Sequence, residues 1–388
     1  MKYNGISWVA VGSAGFSDSV TFQPSLAVNN SGTPYIAYSD DANSQKATVM
    51  KYDGSNWVSV GNPGFSQGAA DPSIAIDTGG TPYVVYTDGA DSDKATVMKY
   101  NGSSWVTVGN SGFSTGGAYY TSIAIDKNGT PYVVYEDGSH GSKVTAMKYN
   151  GSSWVIVGVP GFSDSDAVWP SLAIDISGTP YVAYTDDGTS NDAATVMKYN
   201  GSSWVAVGSK GFSAGYAITV DIAIDSSGTP YVVYEDEYNG GKATVMKYNG
   251  SSWVTVGSAG FSAGWVQYTS IAINSSGSLF VVYQDQYNSF KATVMTFGYP
   301  NEIKNIYTHT QSITISPNPN YGSFTLNIPS PTKEDATIII TNMLGQQVKE
   351  LTTTTNMKTQ VQLSASPGIY FITATTNAQT ITSKIIVQ

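Results

Sequence analysis

Six aspartates recur at one place in a repeated sequence, each directly after a hydrophobic segment. They are Asp40, Asp88, Asp137, Asp186, Asp236 and Asp285. Most copies add a lysine a few residues later, as at Lys46 and Lys94. Two roles are open: cross-strand ion pairs, which contribute at most ~1 kcal/mol when exposed, or a ring of oxygen ligands for Ca²⁺ or for sugar hydroxyls.

One copy of the repeat differs from the others in a way that favours a metal ion. It has Ala193 where most copies have the lysine, and it carries three acidic residues, Asp186, Asp187 and Asp192. Hard cations need several oxygen ligands. These three residues are the candidate Ca²⁺ site, and we expect no other cofactor and no catalytic residue.

Aromatic residues vary between copies in a second segment, which follows a constant Gly-Phe pair. They are Phe22, Tyr119, Tyr120, Trp169, Tyr216, Trp265 and Tyr268. Aromatic rings stack on the apolar faces of sugars, while nearby carboxylates bind the hydroxyls. Packing between neighbouring units is the alternative, but a core role predicts the same residue in each copy. We therefore take the aromatic residues and the six aspartates as candidate ligand-binding residues.

The composition excludes several classes of function. Cysteine is absent, which excludes disulfides, thiolate metal sites and a cysteine nucleophile. The basic residues are 18 lysines with no arginine, and the formal net charge is -10, so a nucleic-acid partner is not expected. No apolar run reaches the roughly 18 residues that a transmembrane helix requires.

The elements that position these residues follow from the repeat. Its methionine stands at 1, 50, 98, 147, 197, 246 and 295, a spacing of 48 to 50 residues. Periods near 40 to 50 with several short strands are typical of propeller blades. We predict an all-β chain with a six-bladed β-propeller over 1–298, a linker over 299–311, and a small immunoglobulin-like β-sandwich over 312–388.

Each blade is predicted to have four strands, here called A to D. In the third copy they are "SIAID", "TPYVVY", "KVTAMKY" and "WVIVG". The tryptophan that opens strand D is interpreted as packing between blades, and the Asp or Asn of the A–B turn as a cap of its own turn. Because the strands alternate in direction, the A–B and C–D turns lie on one face, and the longer, varied B–C and D–A loops on the other. Variable loops on a rigid scaffold carry specificity, so we predict the functional face there.

The chain begins in the middle of its repeat. The last copy lacks strand D, and "SWVAVG" near the N-terminus could supply it by pairing with 292–297, which would remove an exposed edge. Met1 also stands where other copies have an internal Met, so the sequence could start inside a longer gene. The two explanations are compatible. No signal peptide is visible, and we expect that the natural N-terminus lies upstream.

The last 75 residues contain three ordered motifs. The motif residues are Pro317, Asn318, Pro319 and Gly322, then Gly345, then Pro367, Gly368 and Tyr370, with Lys384 in the final strand. This segment resembles the C-terminal sorting domain of proteins exported by the type IX secretion system of Bacteroidota. The resemblance implies contact with that secretion machinery and a secreted or outer-membrane-surface location.

Three functions remain open on the sequence. We favour a secreted, monomeric binding protein for glycans, with a role in adhesion. A scaffold that binds a surface protein is the alternative. A glycoside hydrolase or lyase is a third possibility, but six similar aspartates offer no asymmetric acid pair, and His140 is not part of a nucleophile motif.

Overall fold

The computed structural model describes residues 2–3, 8–9, 11–13, 15–68, 70–189, 191–274, 277–297, 313–330, 332–342, 346–376 and 380–388. The chain divides into two compact units, Met1–Tyr299 and Pro300–Gln388. All regular structure in these residues is β-strand except for short 3-10 turns, so the predicted all-β class is confirmed. None of the helices among the described residues is long and apolar enough to cross a membrane.

The first unit contains six antiparallel blades in chain order, as predicted. Strand A comprises Thr21–Val28, Ala70–Ile76, Ala118–Ile125, Ala167–Ile174, Ala217–Ile224 and Val266–Ile273. Strand B comprises Pro34–Asp40, Pro82–Asp88, Pro131–Asp137, Pro180–Asp186, Pro230–Asp236 and Leu279–Asp285. Strand C comprises Lys46–Tyr52, Lys94–Tyr100, Lys143–Tyr149, Ala193–Tyr199, Lys242–Tyr248 and Lys291–Phe297. Strand D comprises Trp57–Ser59, Trp105–Thr107, Trp154–Ile156, Trp204–Ala206 and Trp253–Thr255.

A 3-10 turn follows strand B in every blade but the fourth. The turns are Asp41–Asn43, Gly89–Asp91, Gly138–His140, Glu237–Asn239 and Gln286–Asn288.

Neighbouring blades pack through apolar faces that are made by alternate residues. Tyr35, Ala37 and Val49 of blade 1 pack against Ile74 and other apolar residues of blade 2, and the same pattern recurs along the series. Burial of one such side chain contributes roughly 1.5–3 kcal/mol. The blade interfaces are therefore the main hydrophobic core of this unit.

The tryptophan at the start of strand D joins each blade to the one before it. Trp204 Nε1 donates to Val157 O of blade 3 at 2.8 Å, and the indole stacks on Phe162 with ring centroids 4.3 Å apart. Trp57, Trp105, Trp154 and Trp253 make equivalent hydrogen bonds. The interpretation as inter-blade packing is confirmed for Trp105, Trp154, Trp204 and Trp253, whereas Trp57 bonds Val11, ahead of blade 1. The Phe of five Gly-Phe pairs stacks on the tryptophan, and the sixth, Phe261, meets Tyr283 edge to face.

The outward faces of the first and last blades are not covered by another blade among the described residues. Leu26 in blade 1 is 64% exposed, whereas Leu172 at the same position in blade 4 is 8% exposed. At the other end Val282 is exposed, although its counterparts in the other blades, such as Ala183, are buried. The two faces that would meet in a closed ring are thus both open to solvent.

The prediction that the N-terminal strand completes the sixth blade is wrong. Trp8–Val9 pairs with Lys2–Tyr3, and within the described ranges the sixth blade is a three-stranded sheet. The register, Tyr3 opposite Trp8, is the register of strands C and D elsewhere, as at Tyr100 and Trp105. Lys2–Tyr3 has the sequence of the end of strand C, and Trp8–Val9 has that of the start of strand D. Trp8–Val9 therefore has a suitable partner strand only a few residues away. Closing that short loop costs less chain entropy than pairing with a strand almost 300 residues distant.

The face that carries the A–B and C–D turns, here called the turn face, is nearly uniform. In blade 4 Asp175 Oδ1 accepts from Ser177 N and Thr179 N, both at 2.9 Å. Asp77, Asp126, Asp225, Asn29 and Asn274 accept in the same way. The prediction that these residues cap their own turns is confirmed.

The second unit is a seven-stranded β-sandwich, as predicted. One sheet contains Thr314–Ser316, Ser323–Asn327 and Lys358–Gln362. The other contains Gln347–Thr354, Asp335–Asn342, Gly368–Thr375 and Thr380–Val387. Alternate apolar residues of both sheets, among them Phe324, Ile338 and Ile372, are almost fully buried between them.

Candidate functional site

The face opposite the turn face, here called the loop face, is formed by the B–C and D–A loops. Its inner edge is lined by strand A, because the A strands of neighbouring blades contact one another directly. Ile74 N donates to Ser25 Oγ at 3.1 Å, and Leu172 N donates to Ser122 Oγ at 3.2 Å. These bonds place the start of every strand A side by side on the loop face.

Strand A contains a β-bulge where it reaches this edge. In blade 3 the register passes from Tyr119 opposite Glu136 to Ser122 opposite Val134, so two residues oppose one. The first bulged residue has a φ between 49° and 52° in all six blades, and none of the six is glycine. They are Gln23, Asp71, Tyr120, Trp169, Thr219 and Tyr268.

A non-glycine residue in this left-handed region costs of order 1–3 kcal/mol, and such strain concentrates at functional sites. Bulges also re-aim side chains beside binding sites. Here the strained backbone repeats six times while the side chain changes from amide to carboxylate, phenol, indole and hydroxyl. The backbone is therefore the same at these six positions, and only the functional group of the side chain differs.

Adjacent bulge residues contact one another. Asp71 N donates to Gln23 Oε1 at 3.0 Å, and Tyr120 N donates to Asp71 Oδ2 at 3.4 Å. The rings of Tyr120 and Trp169 meet edge to face, with centroids 6.0 Å apart. In the next blades Thr269 Oγ1 donates to Thr219 O at 2.6 Å. The bulge residues of blades 1 to 4 thus form a continuous row, and Thr219 of blade 5 contacts the residue after the bulge residue of blade 6.

The candidate aromatic residues all lie on the loop face, with different exposure. Phe22, Tyr119, Tyr120 and Tyr268 are exposed, whereas Trp169, Tyr216 and Trp265 are half-buried. Three of the seven, Tyr120, Trp169 and Tyr268, are bulge residues. The structure therefore brings the predicted aromatic residues to one face, although it distributes them over several blades.

The six aspartates after strand B have a structural role that neither interpretation anticipated. In blade 1 Asp40 Oδ1 accepts from Ala42 N at 3.1 Å, and Oδ2 accepts from the Thr48 hydroxyl at 2.8 Å. The threonine bond recurs at Asp88, Asp137, Asp186, Asp236 and Asp285. All six residues are only 1–3% exposed. Neither ion pair in the described residues joins one of them to a lysine, and their burial leaves little surface for a ligand.

The Ca²⁺ candidate in blade 4 is not supported by the geometry. Asp186 is occupied by Gly188 N and Thr195 Oγ1, while Asp187 is exposed on the loop. Nowhere in the described part of the chain do three acidic or histidine side chains converge so that they could hold a metal ion. Partial desolvation raises the pKa of Asp187, and the nearby charges of Asp192 and Asp166 raise it further. These carboxylates therefore interact electrostatically, but they do not converge on one position where a metal ion could bind.

Two glutamates that sequence reasoning missed lie beneath this face. Glu136 and Glu235 are the last residues of strand B before the buried aspartate, a position that holds Ser39, Thr87, Thr185 and Gln284 in the other blades. Glu235 is 2% exposed and accepts from Trp265 Nε1. Burial raises the pKa of Glu235 to about 7. The missed signal was variation at one position of a nearly constant repeat.

Trp265 reaches Glu235 because blade 5 has a glycine at the end of its B–C loop. A Cβ on Gly241 would lie 1.8 Å from Trp265 Cδ1, and the residue has φ +68°. The other blades have Gln45, Asp93, Ser142, Asp192 and Phe290 at this position. The indole is therefore seated over a backbone that no side chain crowds.

In the second unit the first and last sequence motifs meet. Asn318 Nδ2 donates to Lys384 O, and Ile386 N donates to Asn318 Oδ1, both at 2.9 Å. Gly322 has φ +83°, and a Cβ there would lie 2.6 Å from Leu363 O. Pro317 and Pro319 flank Asn318, and Gly345 lies outside the described residues.

The third motif closes a turn of the same sandwich. Tyr370 Oη donates to Ser366 O at 2.7 Å, across Pro367 and Gly368. The hydroxyl thereby holds the start of the strand Gly368–Thr375.

Residues 314–388 match the secretion system C-terminal sorting domain. This segment is a sorting domain. It indicates secretion through the type IX system to the cell surface, as the motifs predicted. No curated protein matches the chain in sequence.

Solved structures resemble the first unit in fold. The lectin of Aleuria aurantia, described as a six-bladed β-propeller with a novel mode of fucose recognition, has a TM-score of 0.51 at 14% identity, covering 72% of this chain and 91% of its own. The SapL1 lectin in complex with α-methyl fucoside has a TM-score of 0.49 at 17% identity, covering 71% and 93%. The α-L-arabinanase of Penicillium chrysogenum has a TM-score of 0.47 at 11% identity, covering 71% and 93%. The first of these supports the six-bladed propeller fold.

Proposed function

We propose that the chain is a secreted or surface-displayed carbohydrate-binding protein whose loop face holds a glycan. The observation that carries the proposal is the row of bulge residues, which keeps one strained backbone conformation and changes its side chain in almost every blade. Strain that is retained at six positions is explained by the side chains it presents. The sorting domain supports export, and glycans are abundant at the cell exterior.

The side chains on this face suit sugars. Tyr120 and Trp169 offer partly exposed rings in an edge-to-face pair, and the flat faces of such rings stack on sugar C–H groups. Asp71, Gln23 and Thr219 lie in the same row, where a carboxylate, an amide and a hydroxyl can pair with sugar hydroxyls. The fungal lectin of similar fold recognises fucose; the support for this chain comes from its own residues.

A glycan array with the purified full chain tests the proposal. We expect signals for a subset of glycans, and we expect the variant Trp169→Ala to lose them. The matched control is Ile176→Ala, which removes an exposed apolar side chain from the turn face of the same blade. Silence on the array from soluble, folded protein, or equal loss in both variants, would contradict the proposal.

A glycoside hydrolase is the second candidate, and one observation favours it. A carboxyl group with a pKa of about 7, as at Glu235, is suited to act as a general acid near neutral pH. Its burial beneath Trp265 argues against access of a glycosidic bond. Reducing-end assays on glycans that bind, with Glu235→Gln as the comparison, would decide: turnover that the variant lacks would favour the enzyme.

A further inference from the structure

The loop face of blades 3 to 5 carries a concentration of negative charge that has no cationic partner in the described residues. Its carboxylates are Glu136, Asp166, Asp187 and Asp192, and its rings are Tyr120, Trp169 and Tyr216; we call these seven residues the acidic-aromatic patch. Neither ion pair in the described residues includes one of these carboxylates. Like charges held close together repel one another, so a bound cation would stabilise this surface.

Glu136 provides an independent sign of a missing partner. The residue is 9% exposed, and its Oε2 atom is buried without a hydrogen-bond partner. A buried polar atom left unpaired costs roughly 1–3 kcal/mol. Burial raises the pKa of Glu136, the Ser142 hydroxyl lowers it, and the charges of Asp166 and Asp187 raise it again. Glu136 thus has one unpaired oxygen in a carboxyl group that is close enough to Asp166 and Asp187 to feel their charges.

Tyr216 lies next to this loop of blade 4, since the adjacent Ala217 N donates to Asp192 O at 3.1 Å. Burial raises the pKa of Tyr216, and Asp187, Asp192, Glu235 and Glu237 raise it further. The same Asp187 thus acts on both Glu136 and Tyr216. Tyr120 joins the patch at its other end, since the charge of Glu136 raises the pKa of Tyr120 after burial does.

The chemistry of the patch distinguishes between kinds of cation. A metal ion needs several oxygen atoms at about 2.5 Å from one point, and no group of three acidic or histidine side chains among the described residues is placed to hold one. The patch instead spreads its charges around aromatic rings. An organic ammonium group is attracted both by a carboxylate and by the face of a ring, and a sugar ring bearing that group would stack beside it.

Resting on the proposed function, we infer that the loop face of blades 3 to 5 binds a cationic amino sugar, that is, a glycan whose residues carry free amines. The ammonium groups lie against Asp187 and Asp192, attracted also by the charge of the buried Glu136 carboxyl group, and the sugar rings stack on Tyr216 and on the Tyr120–Trp169 pair. A neutral sugar would leave the carboxylates unpaired, and a sulfated or carboxylated glycan would be repelled.

Calorimetry on the full chain at pH 6 tests this inference with two probes that differ in one group. The probes are the hexamer of glucosamine and the hexamer of N-acetylglucosamine. We expect the glucosamine hexamer to bind at least tenfold more tightly, and we expect its affinity to fall steeply with added salt because the attraction is electrostatic. Equal affinity for both hexamers, or tighter binding of the acetylated one, would overturn the inference.

A pair of matched variants locates the site. Asp187→Asn should weaken binding of the glucosamine hexamer about tenfold, whereas Asp41→Asn, at the corresponding loop position of blade 1, should not. Both residues are exposed, so both variants should fold; melting curves check this. Equal effects of the two substitutions would contradict the assignment to blade 4, and the salt titration of the unsubstituted protein tests the cation preference without any variant.

The outcomes separate this inference from the proposed function. Binding of neutral glycans on the array, with no preference for amines, would overturn the inference and leave the proposed function standing. No binding to any glycan would overturn both. Binding of oligolysine without binding of the glucosamine hexamer would overturn the inference in favour of a basic protein partner.

Discussion

Blades 1 and 4 share one backbone and differ in what surrounds it. Leu26 and Leu172 occupy the same position of strand A. Blade 3 covers the second, whereas no blade in the described part of the chain covers the first. The strands and the buried aspartate are otherwise alike, although blade 4, as far as the structure describes it, lacks the 3-10 turn that follows strand B in blade 1. The comparison shows that the local sequence is sufficient to form a blade. How much a given side chain contributes to the stability of the protein depends on whether a neighbouring blade covers it.

The same two blades differ on the loop face in chemistry. Blade 1 has Gln23 at the bulge and Asp41 after strand B, and blade 4 has Trp169 and Asp187 at these positions. In blade 4 the loop residue Asp187 lies close enough to Glu136 of the preceding blade for their charges to interact. A repeat that fixes its backbone can therefore vary the side chains on its surface at little cost.

The largest expected effect comes from the matched leucines. Leu172→Ala should lower the free energy of unfolding by about 3 kcal/mol, because it leaves a cavity between blades 3 and 4. Leu26→Ala should change it by less than about 0.5 kcal/mol, because the side chain is already exposed. Urea denaturation of both variants measures the difference. Equal losses would mean that blade 1 is covered in solution, and the open ends described above would be wrong.

The next effect concerns Glu235 and pH. Its pKa is raised from 4.5 to about 7 by burial, so the folded protein holds this proton more tightly than the unfolded chain does. The stability due to this group is therefore highest below pH 4.5 and declines as the pH rises to 7, by about 3 kcal/mol in total. Glu235→Gln should remove that decline.

Unfolding of both proteins at pH 5 and pH 8 measures this contribution. The exposed neighbour supplies the comparison. Glu237→Gln should retain most of the decline, because burial is the largest cause of the raised pKa of Glu235 and the charge of Glu237 is a smaller one. A Glu235→Gln variant with the same pH dependence as the unsubstituted protein would show that the carboxyl group is not desolvated.

The smallest effect concerns strain at the bulge. Tyr268 is exposed and has φ 52°, a conformation that glycine adopts without cost. Tyr268→Gly should raise the free energy of unfolding by about 1 kcal/mol, because it relieves this strain. Tyr287→Gly, at an equally exposed position within a 3-10 turn, should instead lower it by about 0.5–1 kcal/mol. Destabilisation by both substitutions would indicate that the bulge stores no strain.

The repeat made most of the fold predictable. Its period predicted six blades, and the constant Trp and the turn Asp were assigned their roles because a local, repeated contact leaves an obvious pattern. The exposed ends were not predictable, because whether Trp8 pairs with residues 2–3 or with 292–297 depends on competition between two similar strands. Sequence patterns do not measure such a balance.

The site was predictable as a face but not in detail. Variation among copies directed attention to Tyr120, Trp169 and Tyr216, which the structure places on the loop face. The bulge was missed because its left-handed residues are not glycines. The aspartates such as Asp40 were interpreted as ligands or as members of ion pairs because their actual partner, Thr48, lies on the neighbouring strand C. That contact is visible only in the folded structure.

Hydrogen exchange with mass spectrometry tests the central claim, that the loop face of the middle blades is the binding surface. The full chain is measured with and without the glucosamine hexamer, or with the array glycan that gives the strongest signal. We expect protection in peptides covering 117–120, 166–169 and 216–219, and none in the turn-face peptides 126–130 and 175–179. Protection confined to the turn-face peptides would contradict the account.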